Sequence, residues 1–126
     1  MKTLISTLKL FLLVSLVLCS KLTFGADYYW VGGSGNWNDY SNHWATSSGG
    51  NLFHSSPPSN IDNVWFDNNS LSNGDSIILD SNIVHHCYNF NFNCGGGTYF
   101  IRSTGFNSDL EIWSDVTIAD SLIWYD

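Results

Sequence analysis

Residues 77–83 read Ile77-Ile78-Leu79-Asp80-Ser81-Asn82-Ile83, and residues 110–116 read Leu110-Glu111-Ile112-Trp113-Ser114-Asp115-Val116. Both stretches place apolar residues two apart, then a polar pair, then another apolar residue, at an offset of 33 (77 to 110). Alternation of this kind has the period of a strand, whose successive side chains point to opposite faces. Short strands joined by tight polar corners are what the stacked coils of a β-solenoid need. A β-sandwich gives a related pattern and stays as the alternative.

The same grammar extends in both directions. Strands are predicted at Tyr28–Val31, Val64–Phe66, Ser76–Asp80, Ile83–Phe92, Thr98–Arg102, Leu110–Trp113, Val116–Ile118 and Leu122–Tyr125, all β-branched or aromatic runs. Between them stand Gly32-Gly33-Ser34-Gly35-Asn36, Ser47-Ser48-Gly49-Gly50, Asn73-Gly74-Asp75 and Gly95-Gly96-Gly97, which are turn signals. No run carries apolar residues at i, i+3, i+4 and i+7, so no helix is predicted. The reading is all-β: a β-solenoid, parallel β-helix-like segment.

Residues 27–62 differ in composition from the rest of the chain. They hold Trp30, Trp37 and Trp44 at intervals of seven among Gly, Ser and Asn, with few aliphatics. These three indoles are assigned to structure, stapling a Gly/Trp-rich N-terminal cap. Residues 63–126 are then the solenoid-like coils. The apolar finish Leu122-Ile123-Trp124-Tyr125-Asp126 reads as an uncapped last coil, incomplete at its C-terminus and open to self-association through that edge.

Residues 1–26 read as a secretory signal peptide. Lys2 and Lys9 precede the apolar stretch Leu10–Leu18, too short for the ~20 residues that a bilayer span needs. Small residues at Gly25 and Ala26 offer the cleavage site. Leu18 stands where a lipoprotein signal would place a small residue before Cys19. No later apolar run reaches membrane length, so the reading is a secreted or cell-surface protein.

Composition narrows the function. The 126 residues are 44% hydrophobic and 16% aromatic but only 12% charged, about half the usual charged share. Three of the four bases, Lys2, Lys9 and Lys21, lie at the N-terminal end. Beyond them Arg102 alone stands against all 11 acids, a net of −10. Nucleic-acid binding is excluded, because phosphate neutralisation needs clustered Lys and Arg.

Few constellations suit chemistry. Adjacent His85 and His86 would point to opposite faces of a strand, and no Cys-x-x-Cys or His-x-x-x-His spacing accompanies them and His43 and His54. Asp62, Asp67, Asp75 and Asp80 with Asn68, Asn69 and Asn73 have the oxygen chemistry for weak Ca²⁺ binding, yet lack EF-hand or nonapeptide spacing. Polar turn residues are the favoured reading, and no cofactor is expected. Asp109 and Glu111 share a strand face, about 6–7 Å apart, near the separation that glycosidases use, but exposed strand acids commonly serve solubility. With no nucleophile elbow, no enzymatic activity is expected. Trp65, Trp113, Trp124 and Tyr99 are candidates for a sugar-stacking platform, so the partner is an unspecified surface glycan or protein.

The cysteines leave two readings open. With Cys19 in the signal segment, Cys87 and Cys94 remain, and two exported thiols point to one disulfide. A continuous strand from 87 to 94 would hold their Cα atoms about 20 Å apart, against a limit of ~7 Å. Bridging needs a chain reversal; otherwise both are separate buried thiols.

Tyr29-Trp30-Val31-Gly32-Gly33-Ser34-Gly35-Asn36-Trp37-Asn38-Asp39, followed by Asn42-His43-Trp44-Ala45 and then Asp62-Asn63-Val64-Trp65-Phe66-Asp67, resembles the opening of large secreted surface proteins of Bacteroidetes-type bacteria. The resemblance covers about residues 28–125. It implies a repetitive, β-rich, adhesin-like protein exported by the type IX route. One departure is that the C-terminal sorting domain usual in those proteins is not visible here. The expected role is structural or adhesive. A carbohydrate-binding β-sandwich module is the alternative, as is the opening of a β-helical polysaccharide-degrading enzyme.

Export would leave a new N-terminus. Sequencing of the exported protein should find a start near Ala26 or Asp27, and recovery of intact Met1 in soluble cytoplasm would overturn the signal-peptide reading.

Overall fold

Strand periodicity becomes inward and outward faces. The computed structural model describes residues 25–125. Its strands are β1 (Asp27–Trp30), β2 (Gly35–Asn36), β3 (Trp44–Ala45), β4 (Asn63–Phe66), β5 (Ser76–Leu79), β6 (Ile83–Cys87), β7 (Phe90–Phe92), β8 (Thr98–Ser103), β9 (Ser108–Ile112), β10 (Val116–Ile118) and β11 (Ser121–Tyr125). Between β2 and β3 lies a single-turn helix, α1 (Tyr40–His43). The described chain is therefore mostly strand, with about 4% helix. Among the described residues no helix is long and apolar enough to cross a membrane.

These strands form three sheets. The first has the order β10-β7-β4-β1-β3, the second β11-β8-β5-β2, and the third β6-β9. Only β1 and β3 pair antiparallel; all other pairs between these strands are parallel. From β4 onward the chain visits the first, second and third sheets in turn, twice, and then the first and second again. In the first sheet Val64 pairs with Phe90 and Phe90 with Val116, two equal steps along the chain. In the second sheet Ile77 pairs with Ile101, a slightly shorter step.

The pairing corrects two sequence expectations. The offset of 33 is not a register: it matches β5 to β9, which lie in different sheets. Both stretches are strand–corner–strand units, so they look alike without pairing. The run Ile83–Phe92 is two strands, broken at Tyr88-Asn89. There the Tyr88 N–H donates to Asp62 O and the Val64 N–H to Asn89 O. The alternating Asn and Phe residues continue the strand pattern in sequence while the backbone turns a corner.

A ladder of polar side chains marks that corner. Asn63 Nδ2 donates to Asp27 Oδ1 at 3.0 Å, Asn89 Nδ2 donates to Asn63 Oδ1 at 2.9 Å, and the Asp115 N–H donates to Asn89 Oδ1 at 3.1 Å. Each rung saturates polar groups at a bend, where the regular sheet pairing is interrupted.

Inward side chains of all three sheets meet in one core. The first sheet supplies Tyr28, Trp30, Val64, Phe66, Phe90 and Phe92; the second supplies Ile77, Leu79, Tyr99 and Ile101; Cys87 comes from the third. Trp30, Trp37 and Trp44 are all fully buried. Trp44 meets Trp30 and Trp37 edge-on, each with ring centres 4.9 Å apart. Trp30 also stacks on His43 at 4.6 Å, and His43 Nδ1 donates to Val31 O at 2.7 Å. Gly35 is required beside them, since a Cβ there would fall inside the His43 ring.

The indole N–H groups are not equivalent. Trp44 Nε1 donates to Trp37 O at 2.7 Å, whereas Trp37 Nε1 has no partner among the described residues. Replacing Trp37 by Ala should cost ~3–5 kcal/mol, as for other large buried aromatics. Trp44→Phe should cost about 1 kcal/mol more than Trp37→Phe, because only it strips a donor from a buried carbonyl. Urea unfolding measures both; a larger loss from Trp37→Phe would refute the assignment.

Candidate functional site

Cys87 and Cys94 are free, buried thiols in this structure. Cys87 closes β6 and Cys94 follows β7, on either side of the corner at Tyr88-Asn89. Cys87 is held by the Trp113 backbone and Cys94 by the Asp120 carboxylate. The Trp113 N–H donates to Cys87 O at 3.1 Å, and the Cys94 N–H donates to Asp120 Oδ2. Burial pushes both thiols up to about 12, with Asp120 and Asp67 adding to the rise at Cys94. At neutral pH neither is a thiolate, so neither is a nucleophile or ready metal ligand.

The histidines diverge as strand alternation requires. His85 is buried, at 2% exposure. Its Nε2 accepts the Asp80 N–H at 3.1 Å, which leaves the proton on Nδ1, where no described residue faces it as a partner. Burial lowers its pKa from 6.5, opposed in part by the Asp80 carboxylate. His86 points outward, with Nδ1 3.3 Å from Glu111 Oε2, close enough for attraction but not aligned as a hydrogen bond.

The aspartates considered for Ca²⁺ accept hydrogen bonds at the corners. Asp62 accepts the Ala26 N–H at 2.7 Å and the Ser59 N–H at 2.9 Å. Asp75 accepts the Ser72 N–H and the Ser34 hydroxyl, both at 2.7 Å. Asp67 accepts the Asn69 N–H at 2.9 Å, and Asp80 accepts Asn38 Nδ2 at 3.3 Å. Among the described residues no three His, Cys, Asp or Glu side chains converge where a metal ion could sit. Asp109 and Glu111 lie exposed on β9.

The sugar-platform candidates divide by exposure. Tyr99 is buried, its hydroxyl donating to Gly96 O at 3.0 Å, and belongs to the core. Trp65, Trp113 and Trp124 are exposed. Trp65 lies against Tyr29 with ring centres 6.2 Å apart, and its Nε1 donates to Asp27 Oδ1 at 2.9 Å. The structure does not bring the three tryptophans into one platform: Trp65 is on the first sheet, Trp124 on the second, and Trp113 follows β9 of the third. A hollow of about 590 Å³ lies along residues 103–109. Its lining runs from the end of β8 at Ser103, through the connecting corner, to the start of β9 at Ser108 and Asp109.

A different group of exposed residues does come together, on the outer face of the second sheet. Alternation along β5, β8 and β11 turns Ile77, Leu79, Tyr99 and Ile101 inward, and Ser76, Ile78, Phe100, Arg102, Ile123 and Tyr125 outward. Register then places Ile123 beside Phe100 and Tyr125 beside Arg102. The Arg102 guanidinium carbon lies 4.9 Å from the centre of the Phe100 ring and 5.1 Å from that of Tyr125, while Nε donates to Ser76 Oγ at 2.9 Å. The i, i+2 spacing of Phe100 and Arg102 is visible in the sequence. The pairing of Tyr125 with Arg102 depends on a register that the sequence does not reveal.

Comparison with protein-family models, with curated proteins and with solved structures gives no match.

The buried groups set two measurable behaviours. His85 is held neutral when folded, so the unfolded chain binds protons more readily. Its contribution to stability should be full above pH 6.5 and fall as the pH drops from there toward the lowered pKa of the folded state. His85→Phe should flatten that slope in acid unfolding titrations. Ellman's reagent should find Cys87 and Cys94 unreactive in native protein and fully reactive in denaturant; fast native reaction would contradict their burial.

Proposed function

We propose that the protein is a secreted, non-enzymatic β-solenoid module of a bacterial cell surface, with a structural or adhesive role. One observation carries the solenoid reading: in the first and second sheets, successive strands lie in parallel register on the strand three elements back, from β4 and β5 to β10 and β11. A β-sandwich is built from antiparallel pairs, so parallel registers favour stacked coils. The Asp27–Asn63–Asn89–Asp115 ladder supports the same reading, since corners stacked over corners bring like residues into reach.

The export reading rests on the signal-like residues 1–26, nearly all of which lie outside the described residues. Acidic charge and scarce lysine suit a surface protein that avoids nucleic acid and anionic lipid. The reading without catalysis is supported by thiols held protonated and by aspartates occupied by turn amides.

Coil stacking has a decisive test. Duplicating residues 64–89 in tandem inserts one turn of the first, second and third sheets. A stacked-coil protein should keep its β circular dichroism and lengthen by about 4.8 Å, the spacing between paired strands, measured by small-angle scattering or crystallography. Collapse of the fold or unchanged length would reject the solenoid. Surface location is tested separately: protease added to intact producing cells should remove the protein.

A further inference from the structure

The outer face of the second sheet differs from the other two in charge. On the first sheet the outward positions include Asp27 beside Tyr29, Asn63, Trp65, Asn91 and Thr117; on the third they include Asp109 and Glu111 beside Val84 and His86. The outward positions of β5, β8 and β11 carry no acid and instead present Ile78, Phe100, Ile123 and Tyr125 around Arg102. Arg102 is the only Lys or Arg among residues 25–125. It is exposed, and no described carboxylate pairs with it.

Its geometry leaves a defined part of the side chain for a ligand. The Phe100 and Tyr125 rings, 5.6 Å apart, flank the guanidinium, and the Ser76 hydroxyl takes its Nε–H. No described residue takes the terminal Nη–H groups. These form the fork that engages a carboxylate through two parallel hydrogen bonds. Rings that hold the cation reduce the rotamer freedom such a contact would otherwise lose. Ile123 and Tyr125 add an exposed apolar shelf beside the fork.

We propose that this face binds a carboxylate-bearing polysaccharide, Arg102 contacting the uronate carboxylate and the Ile123–Tyr125 shelf packing against the C–H face of the pyranose ring. This ligand class deepens the adhesive reading and rests on it. Local charge favours this occupant: the outward positions of β5, β8 and β11 carry Arg102 and no acid, and a neutral sugar would make no charge-assisted contact with the fork. Backbone chemistry disfavours an extended peptide, which docks on sheet edges by main-chain hydrogen bonds. The main chain of β8 is already paired on both sides, with β5 and β11.

The test uses the purified chain, titrated with oligogalacturonate and followed by calorimetry. Cello-oligosaccharide and a poly-glutamate peptide are the comparators. Oligogalacturonate should bind, and cello-oligosaccharide should not. Arg102→Gln should weaken binding about tenfold to a hundredfold, as expected for a charge-assisted pair. Arg102→Lys, which keeps the charge but loses the fork, should fall between. Melting curves show whether each variant is folded, and Ile123→Ala, which trims the shelf while leaving both rings around Arg102 in place, should weaken binding less than Arg102→Gln; full affinity in folded Ile123→Ala would remove the shelf from the site. Equal binding of cello-oligosaccharide or poly-glutamate, full affinity in folded Arg102→Gln, or no binding of oligogalacturonate would each overturn the proposal. If the protein is found on intact cells while oligogalacturonate fails, this ligand assignment falls and the surface reading stands.

Discussion

Phe66 is the ring on which the packing depends. It sits 5.5 Å from Trp30 and 5.6 Å from Trp44 on one side, and 5.5 Å from Phe90 and 5.3 Å from Phe92 on the other. The Gly-rich opening has too few aliphatics to build an interior by itself; the later strands have aliphatics and aromatics to share. Phe66 joins the two, so the indoles of residues 30–44 and the phenyl rings of β7 belong to one apolar interior. Burial of such rings contributes area and favourable edge-on geometry together. The parallel pairing of β4 with β1 and β7 sets the register that brings those rings to one level.

Local chemistry carries much of the architecture in the sequence. Ser76–Leu79, Thr98–Arg102 and Val116–Ile118 read directly as strand, because each is a short β-branched, aliphatic or aromatic run between turn signals. The glycine clusters mark corners, and Gly32, Gly33, Gly74 and Gly95–Gly97 do take positive φ. Two kinds of information are missing. Tyr88-Asn89 continues an alternating pattern, so nothing local announces its bend; the corner is set by Asp62, Asn63 and Asp115, far away in sequence. Register is also hidden. Units of strand, corner and strand resemble each other whichever sheet they enter, which is why the offset of 33 looks like a period while the pairing joins 64 to 90 and 77 to 101.

The candidate site is less legible for the same reason. Trp65, Trp113 and Trp124 stand out in a list of residues, yet strand alternation and sheet order scatter them. Arg102 and Phe100 look like ordinary outward residues of one strand. They gain a shared role only because β11 brings Tyr125 alongside. Acidic residues show the reverse. Asp62, Asp67 and Asp75 look available for ligands, but they are consumed by main-chain amides at corners. A low content of charged residues is thus compatible with many polar corners, since the acids present do structural duty.

In an oxidising medium the two buried thiols would set a race for the folding chain. Before folding, each cysteine has ordinary acidity and is open to thiol–disulfide exchange. After folding, both are shielded and protonated. Parallel strands such as β4 and β7, with two other strands between them in the chain, assemble more slowly than local hairpins, so the vulnerable interval is set by topology. In an oxidising medium, chains that pair their strands promptly escape covalent cross-linking, and those that delay are captured as mixed disulfides. Folding speed, more than final stability, then governs the yield of intact protein.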